Sequence, residues 1–227
     1  MAAGALWALR LVRPVPPARF GAALQGVIRF NTYLGLAIMG SLAGPAGLEQ
    51  AALYLAVAVP LVNVLSIVAL RQRGGQTGAL LRAVMGNPLI LACALGLALA
   101  LTGARLPGGA DRLVALLAQG SLPLGLLCVG AALRPAALGR DWLALSWVSG
   151  LRLVAMPFLA AGVAQLLGLG QAATLVLVVF SAIPTAPTAY VLTRQLNGDA
   201  GLMAGIVTLQ TMLSVATLPL VLSLLAP

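Results

Sequence analysis

The residues best placed to do chemistry fall in one stretch, Phe180-Ser181-Ala182-Ile183-Pro184-Thr185-Ala186-Pro187-Thr188-Ala189-Tyr190. Pro184 and Pro187 stand three residues apart, and a threonine follows each of them. The run around them, 171–194, is apolar and long enough to cross a bilayer, which takes about 20 apolar residues. A proline inside a helix removes a backbone hydrogen bond and collides with the carbonyl four residues earlier. In hydrocarbon such a break is tolerated only where protein or a lined cavity receives the freed groups. A helix broken at mid-membrane is a common way for a transporter to build a substrate site.

A second polar group, Gln25-Gly26-Val27-Ile28-Arg29-Phe30-Asn31-Thr32-Tyr33, lies within an apolar run over 20–43. Helical spacing puts Gln25, Arg29 and Thr32 on one face. A charge at the depth of Arg29 costs at least a few kcal/mol, which marks a functional position. Half-helix N-termini at two such breaks would offer unpaired N–H groups and the positive ends of dipoles. A carboxylate is stabilised there. Thr185 and Thr188 are the expected caps of one break, and Asn31 and Thr32 serve the other. Arg29 adds a full charge suited to bidentate carboxylate binding. No Asp or Glu lies in the interior of an expected span, so a carboxylate relay for protons or sodium is not visible. Backbone carbonyls at the breaks could still hold an ion.

The elements that must position these residues are membrane helices. The 227 residues are 61% hydrophobic and 7% charged, a composition foreign to soluble domains of this length. All the basic residues are arginines, the net charge is +9, and His is absent. The arginines fall between apolar runs, which fits membrane topology rather than nucleic-acid binding. Cys93 and Cys128 lie singly in apolar runs, so neither a metal site nor a disulfide framework is expected, and no cofactor is. About seven spans are expected, over 20–43, 48–70, 84–102, 113–133, 142–167, 171–194 and 202–225. The fifth carries Arg152 near one end, and the seventh carries Gln210 and Thr211. Residues 1–19 read as a partial span and a proline-rich connector rather than a signal peptide, because the arginines follow the apolar stretch.

Counting loops alternately, one side receives Arg10, Arg13, Arg19, Arg71, Arg73, Arg82, Arg134, Arg140 and Arg194, and the other Arg105 and Arg112. Positive loops face the cytoplasm, which puts the N-terminus inside and the C-terminus outside. A weak repeat is also present. Asn31-Thr32, the turn at 44–48 and Pro60 match Pro187-Thr188, the turn at 198–202 and Pro219. The copies are offset by five spans, and an odd offset makes the repeat inverted, as in many secondary transporters.

The two polar groups, Asn87-Pro88-Leu89-Ile90-Leu91, and Leu122-Pro123-Leu124 followed by Cys128-Val129-Gly130-Ala131-Ala132-Leu133 together resemble the bacterial branch of the auxin efflux carrier family. The likeness covers residue 20 to the C-terminus. It implies an all-α integral membrane fold of two inverted five-span repeats, with crossover helices in the fourth and ninth spans. Residues 20–70 would be the remainder of the first repeat, 71–83 a cytoplasmic loop and 84–227 the second repeat. The likeness also implies export or exchange of small organic anions across the bacterial cytoplasmic membrane. Plant relatives carry auxin, and bacterial ones are associated with malonate, malate and similar acids. The family's first two spans and most of its third have no counterpart here, so roughly 80 further upstream residues are expected.

The reading is therefore a secondary carrier, not an enzyme. An intramembrane enzyme would need acid–base or metal residues that the spans lack. A channel or receptor-like helical protein, or a non-functional fragment of a carrier, is the alternative. The expected partners are an organic anion and membrane lipid, with no nucleic acid; a homodimer is left open.

Overall fold

A computed structural model of the chain describes residues 4, 6, 15–70, 85–86, 88–103, 107–139 and 141–225. Expectations for Arg10, Arg13, Arg71, Arg73, Arg82, Asn87, Arg105 and Arg140 lie outside them. The described residues form helices and no strands. The helices are α1 (Pro17–Ile28), α2 (Thr32–Leu70), α3 (Pro88–Thr102), α4 (Ala110–Ala131), α5 (Trp142–Leu166), α6 (Gln171–Ala182), α7 (Thr188–Gln195) and α8 (Ala200–Leu225). Among the described residues, the apolar segments Pro17–Leu70, Ala110–Ala131, Trp142–Leu166 and Ala200–Leu225 are long enough to cross a membrane.

The first of these folds back on itself. Gly44 takes φ +58 and ψ −148 inside α2, a conformation open to glycine and costly to other residues. There the chain doubles back. The rings of Phe30 and Tyr54 lie 5.8 Å apart, whereas a straight helix would separate residues 24 apart by about 36 Å. Residues 45–70 thus return beside α1 and end at its start, where Leu70 packs against Gly21.

α5 is one long helix whose middle turn, Leu151–Ala155, widens to π geometry. Arg152 sits in that turn, deep within α5, not near an end as its sequence position suggested. Pro60, Pro123 and Pro219 lie inside continuous helices, and Pro157 follows the π turn without interrupting α5. The chain breaks elsewhere. Arg29, Phe30 and Asn31 separate α1 from α2, and residues 183–187 separate α6 from α7.

Two apolar clusters flank the breaks. Leu24, Val27, Leu145, Val148, Met203 and Ile206 join α1, α5 and α8 on one side. Phe30, Met39, Val176, Val179, Phe180 and Ile183 pack on the other. Phe180 meets Phe30 edge-on at 5.4 Å and Tyr54 at 5.1 Å. α3 and α4 pack beside α2 and turn Leu95, Leu101, Leu116 and Leu127 outward. Such all-round apolar helices suit a lipid environment.

Candidate functional site

The two broken helices cross antiparallel, break against break. Gln25 reaches Thr193, Arg29 reaches Thr188, the Asn31 N–H reaches Pro184, and Gly35 lies against the Phe180 ring. As one number rises the other falls, so α1 lies beside α7 and the start of α2 beside α6. At the crossing itself the Asn31 N–H donates to the Pro184 carbonyl at 2.9 Å.

The geometry of the second break follows from its prolines. A residue before proline is pushed out of the helical region, and Ile183 is extended at φ −75, ψ 152. Pro187 stands just before α7 with φ −56, a value preorganised for a helix start. The first break contains no proline. Arg29 is extended at φ −80, ψ 154, and Asn31 caps α2 by accepting the Leu34 N–H on Oδ1 at 3.3 Å.

A helix end leaves carbonyls without partners, and a buried end must find them elsewhere. Here three polar side chains supply donors. Arg152 is 1% exposed. It donates from Nε to Ile183 O at 2.9 Å, from Nη1 to Val27 O at 3.0 Å and from Nη2 to Phe180 O at 2.6 Å. Gln210 donates from Nε2 to Gly26 O and accepts the Thr185 N–H on Oε1, both at 2.9 Å. The Thr185 hydroxyl donates to Gln25 O at 3.2 Å.

The other face of the crossing holds Arg29, which is 4% exposed. Its Nη1 donates to Gln25 Oε1 at 3.4 Å and its Nη2 to Thr188 Oγ1 at 3.1 Å. Both acceptors are neutral. Among the described residues the ion pair is Arg19–Asp141 at 2.7 Å, remote from Arg29 at the start of α1. Gln25 also donates to Thr193 Oγ1 at 2.8 Å. Asn31 Nδ2 is buried with no hydrogen-bond partner among the described residues.

The structure thus brings Gln25, Arg29, Asn31, Pro184, Thr185 and Thr188 into one locus, with Thr32 half-buried at the start of α2. The capping roles assigned to the threonines are corrected. α7 has no side-chain cap; Thr185 serves a carbonyl of α1, and Thr188 accepts from Arg29. The N–H groups of Ala189 and Tyr190 close onto Ala186 O and Pro187 O, so α7 offers fewer free donors than a bare helix start. Arg152 and Gln210 were not singled out as site residues. Each is a polar residue deep in an apolar run, and that was the available signal.

Sequence comparison identifies the kind of protein that carries this crossing. A family model described as membrane transport protein matches residues 76–222. The chain belongs to that family. The auxin efflux carriers, whose motifs it resembles, are members of the same family. An uncharacterized transporter from the archaeon Methanothermobacter thermautotrophicus is 27% identical over 202 residues, which cover 88% of this chain. The chain spans 66% of that relative's length. The chain is therefore an all-helical integral membrane protein of a transporter family.

Proposed function

We propose that the protein is a secondary transporter that exports or exchanges small organic anions across a bacterial cytoplasmic membrane, with its N-terminus inside and its C-terminus outside. We draw the functional parallel with the bacterial branch of the auxin efflux carriers, whose implied architecture is two inverted five-span repeats. One observation carries the anion reading. Arg29 lies buried at the N-terminus of α7, where the helix dipole is also positive, and its hydrogen-bond partners are neutral oxygens. A buried cation needs compensation, and a carboxylate seated against Arg29, Thr188 and the unpaired Asn31 amide would supply it. Dicarboxylates of malonate size and auxin-like monocarboxylates are the substrate classes to try.

The test is anion binding to the purified protein and uptake in proteoliposomes, comparing Arg29→Gln with wild type. Gln keeps size and polarity but removes the charge. Affinity for the preferred anion should fall at least tenfold, the scale of a charge-assisted hydrogen bond of about 1.5–3 kcal/mol. Unchanged affinity in a well-folded Arg29→Gln protein would make Arg29 a structural residue, and a wild type that binds none of these acids would end the organic-anion reading.

A further inference from the structure

Pro184 and Pro187 have no amide hydrogen. In an unbroken helix the N–H groups at 184 and 187 would close onto the carbonyls four and four residues back, Phe180 O and Ile183 O; for position 187 that partner is Ile183 itself. Asn31, whose N–H would close onto Val27 O, donates to Pro184 O instead. Each of the three carbonyls is thus released by a missing or diverted N–H. The same three are the acceptors of Arg152, through Nη2, Nε and Nη1. They belong to the C-terminal, dipole-negative ends of both half-helices that enter the crossing. The π turn that carries Arg152 locally resets the register of α5 at this level.

In transporters with broken helices, unwound carbonyls and half-helix C-termini commonly hold the coupling cation. Here a side chain of the protein occupies such a position. We propose that Arg152 is a tethered cation that takes the place of a bound coupling ion: a positioning residue whose charge holds the C-terminal ends of α1 and α6 together, so that the crossing closes with no added metal ion. The two prolines then have a defined task, which is to keep two carbonyls free for the guanidinium. The planar fork of Arg suits three acceptors on two helices better than the point charge of Lys. That the displaced ion would be a coupling ion rests on the transporter reading; the closure of the two breaks by a fixed positive charge does not.

The test measures thermal unfolding of the purified full chain in detergent, without substrate, so it stands or falls separately from anion binding. Arg152→Ala leaves a cavity, Arg152→Met fills it with an uncharged side chain, and Arg152→Lys keeps a charge. Wild type should unfold at the same temperature in sodium and in choline chloride. Arg152→Ala should lose about 5–10 °C, from three buried acceptors left without donors. Methylguanidinium should restore at least half of that loss, and methylurea, which brings N–H donors without charge, should not. Arg152→Met should respond to neither, and Arg152→Lys should lie between wild type and Met. Stabilisation of wild type by sodium over choline, rescue by methylurea equal to that by methylguanidinium, or an Arg152→Ala protein as stable as wild type would each overturn the proposal. If Arg152→Ala does not accumulate in membranes, the Lys and Met variants decide, and Met as stable as Lys overturns it.

Discussion

At the scale of single residues, Gln210 shows how much one neutral side chain can hold. Its two amide ends serve different segments: Nε2 donates to Gly26 O of α1, and Oε1 accepts from Thr185 N in the second break. Gln210 is fully buried, so neither partner has water to fall back on. Gln210→Leu preserves volume and removes both bonds. An unpaired buried backbone group costs about 1–3 kcal/mol, so the variant should lose about 2–5 kcal/mol, read as a clear drop in the thermal midpoint in detergent. A loss below about 1 kcal/mol would mean that the breaks hold each other without this brace. Little of this was legible beforehand. The residue types that mark the site, Gln25, Arg29, Asn31 and Thr185, stand out in an apolar sequence because polarity there is costly. Their partners do not: Gln210 is 184 residues from Gly26, and Arg152 is 125 residues from Val27. Pairings at that distance depend on how helices stack, which local pattern does not encode.

At the scale of elements, the two breaks differ in origin. The break between α6 and α7 is written locally, in two prolines that each force the preceding residue out of the helix. Proline content alone would mislead, since Pro60, Pro123 and Pro219 sit within continuous helices. The informative feature is the three-residue spacing, which deprives two neighbouring carbonyls at once. The break between α1 and α2 has no such mark. It was legible only through the repeat and the family likeness, and in the structure it is held by Thr185, Gln210, Arg152 and Pro184 O from elsewhere in the chain. Replacing both prolines by Ala returns about 3 kcal/mol of helix preference at each position. Against this stand five tertiary hydrogen bonds at the second break, each contributing about 1 kcal/mol. The two sums are comparable, so in Pro184→Ala/Pro187→Ala the segment should populate a continuous helix as well as the break. Helical circular dichroism should hold or rise slightly, while anion affinity falls at least tenfold on the scale of one or two lost contacts. Wild-type affinity in this double variant would show that the tertiary bonds set the break without the prolines.

At the scale of the whole molecule, Arg19, Asp141 and Asp199 gather at one end among the described residues. The Arg19–Asp141 pair ties the start of α1 to the start of α5, and Asp199 N–H donates to Ala18 O beside them. Asp199 also caps α8 through the Leu202 N–H, and Arg134 lies over the Tyr190 ring at 4.9 Å. The exposed Arg19–Asp141 pair contributes at most about 1 kcal/mol, so this end matters more for topology than for stability. From it α5 rises over its 25 residues, about 38 Å, to an uncharged turn at 167–170. Positive loops stay in the cytoplasm. The arginine-bearing end should therefore face inward and the 167–170 turn outward. Cysteine accessibility tests this in a Cys93→Ser/Cys128→Ser background. Gln195→Cys sits at the arginine end and Leu169→Cys in the opposite turn, and both positions are exposed. A membrane-impermeant thiol reagent added to intact cells should label Leu169→Cys and spare Gln195→Cys until the membrane is permeabilised. The reverse pattern would turn the molecule over. The Arg29 face of the crossing, which lies toward the arginine end alongside α7, would then lie toward the outside instead of the cytoplasm.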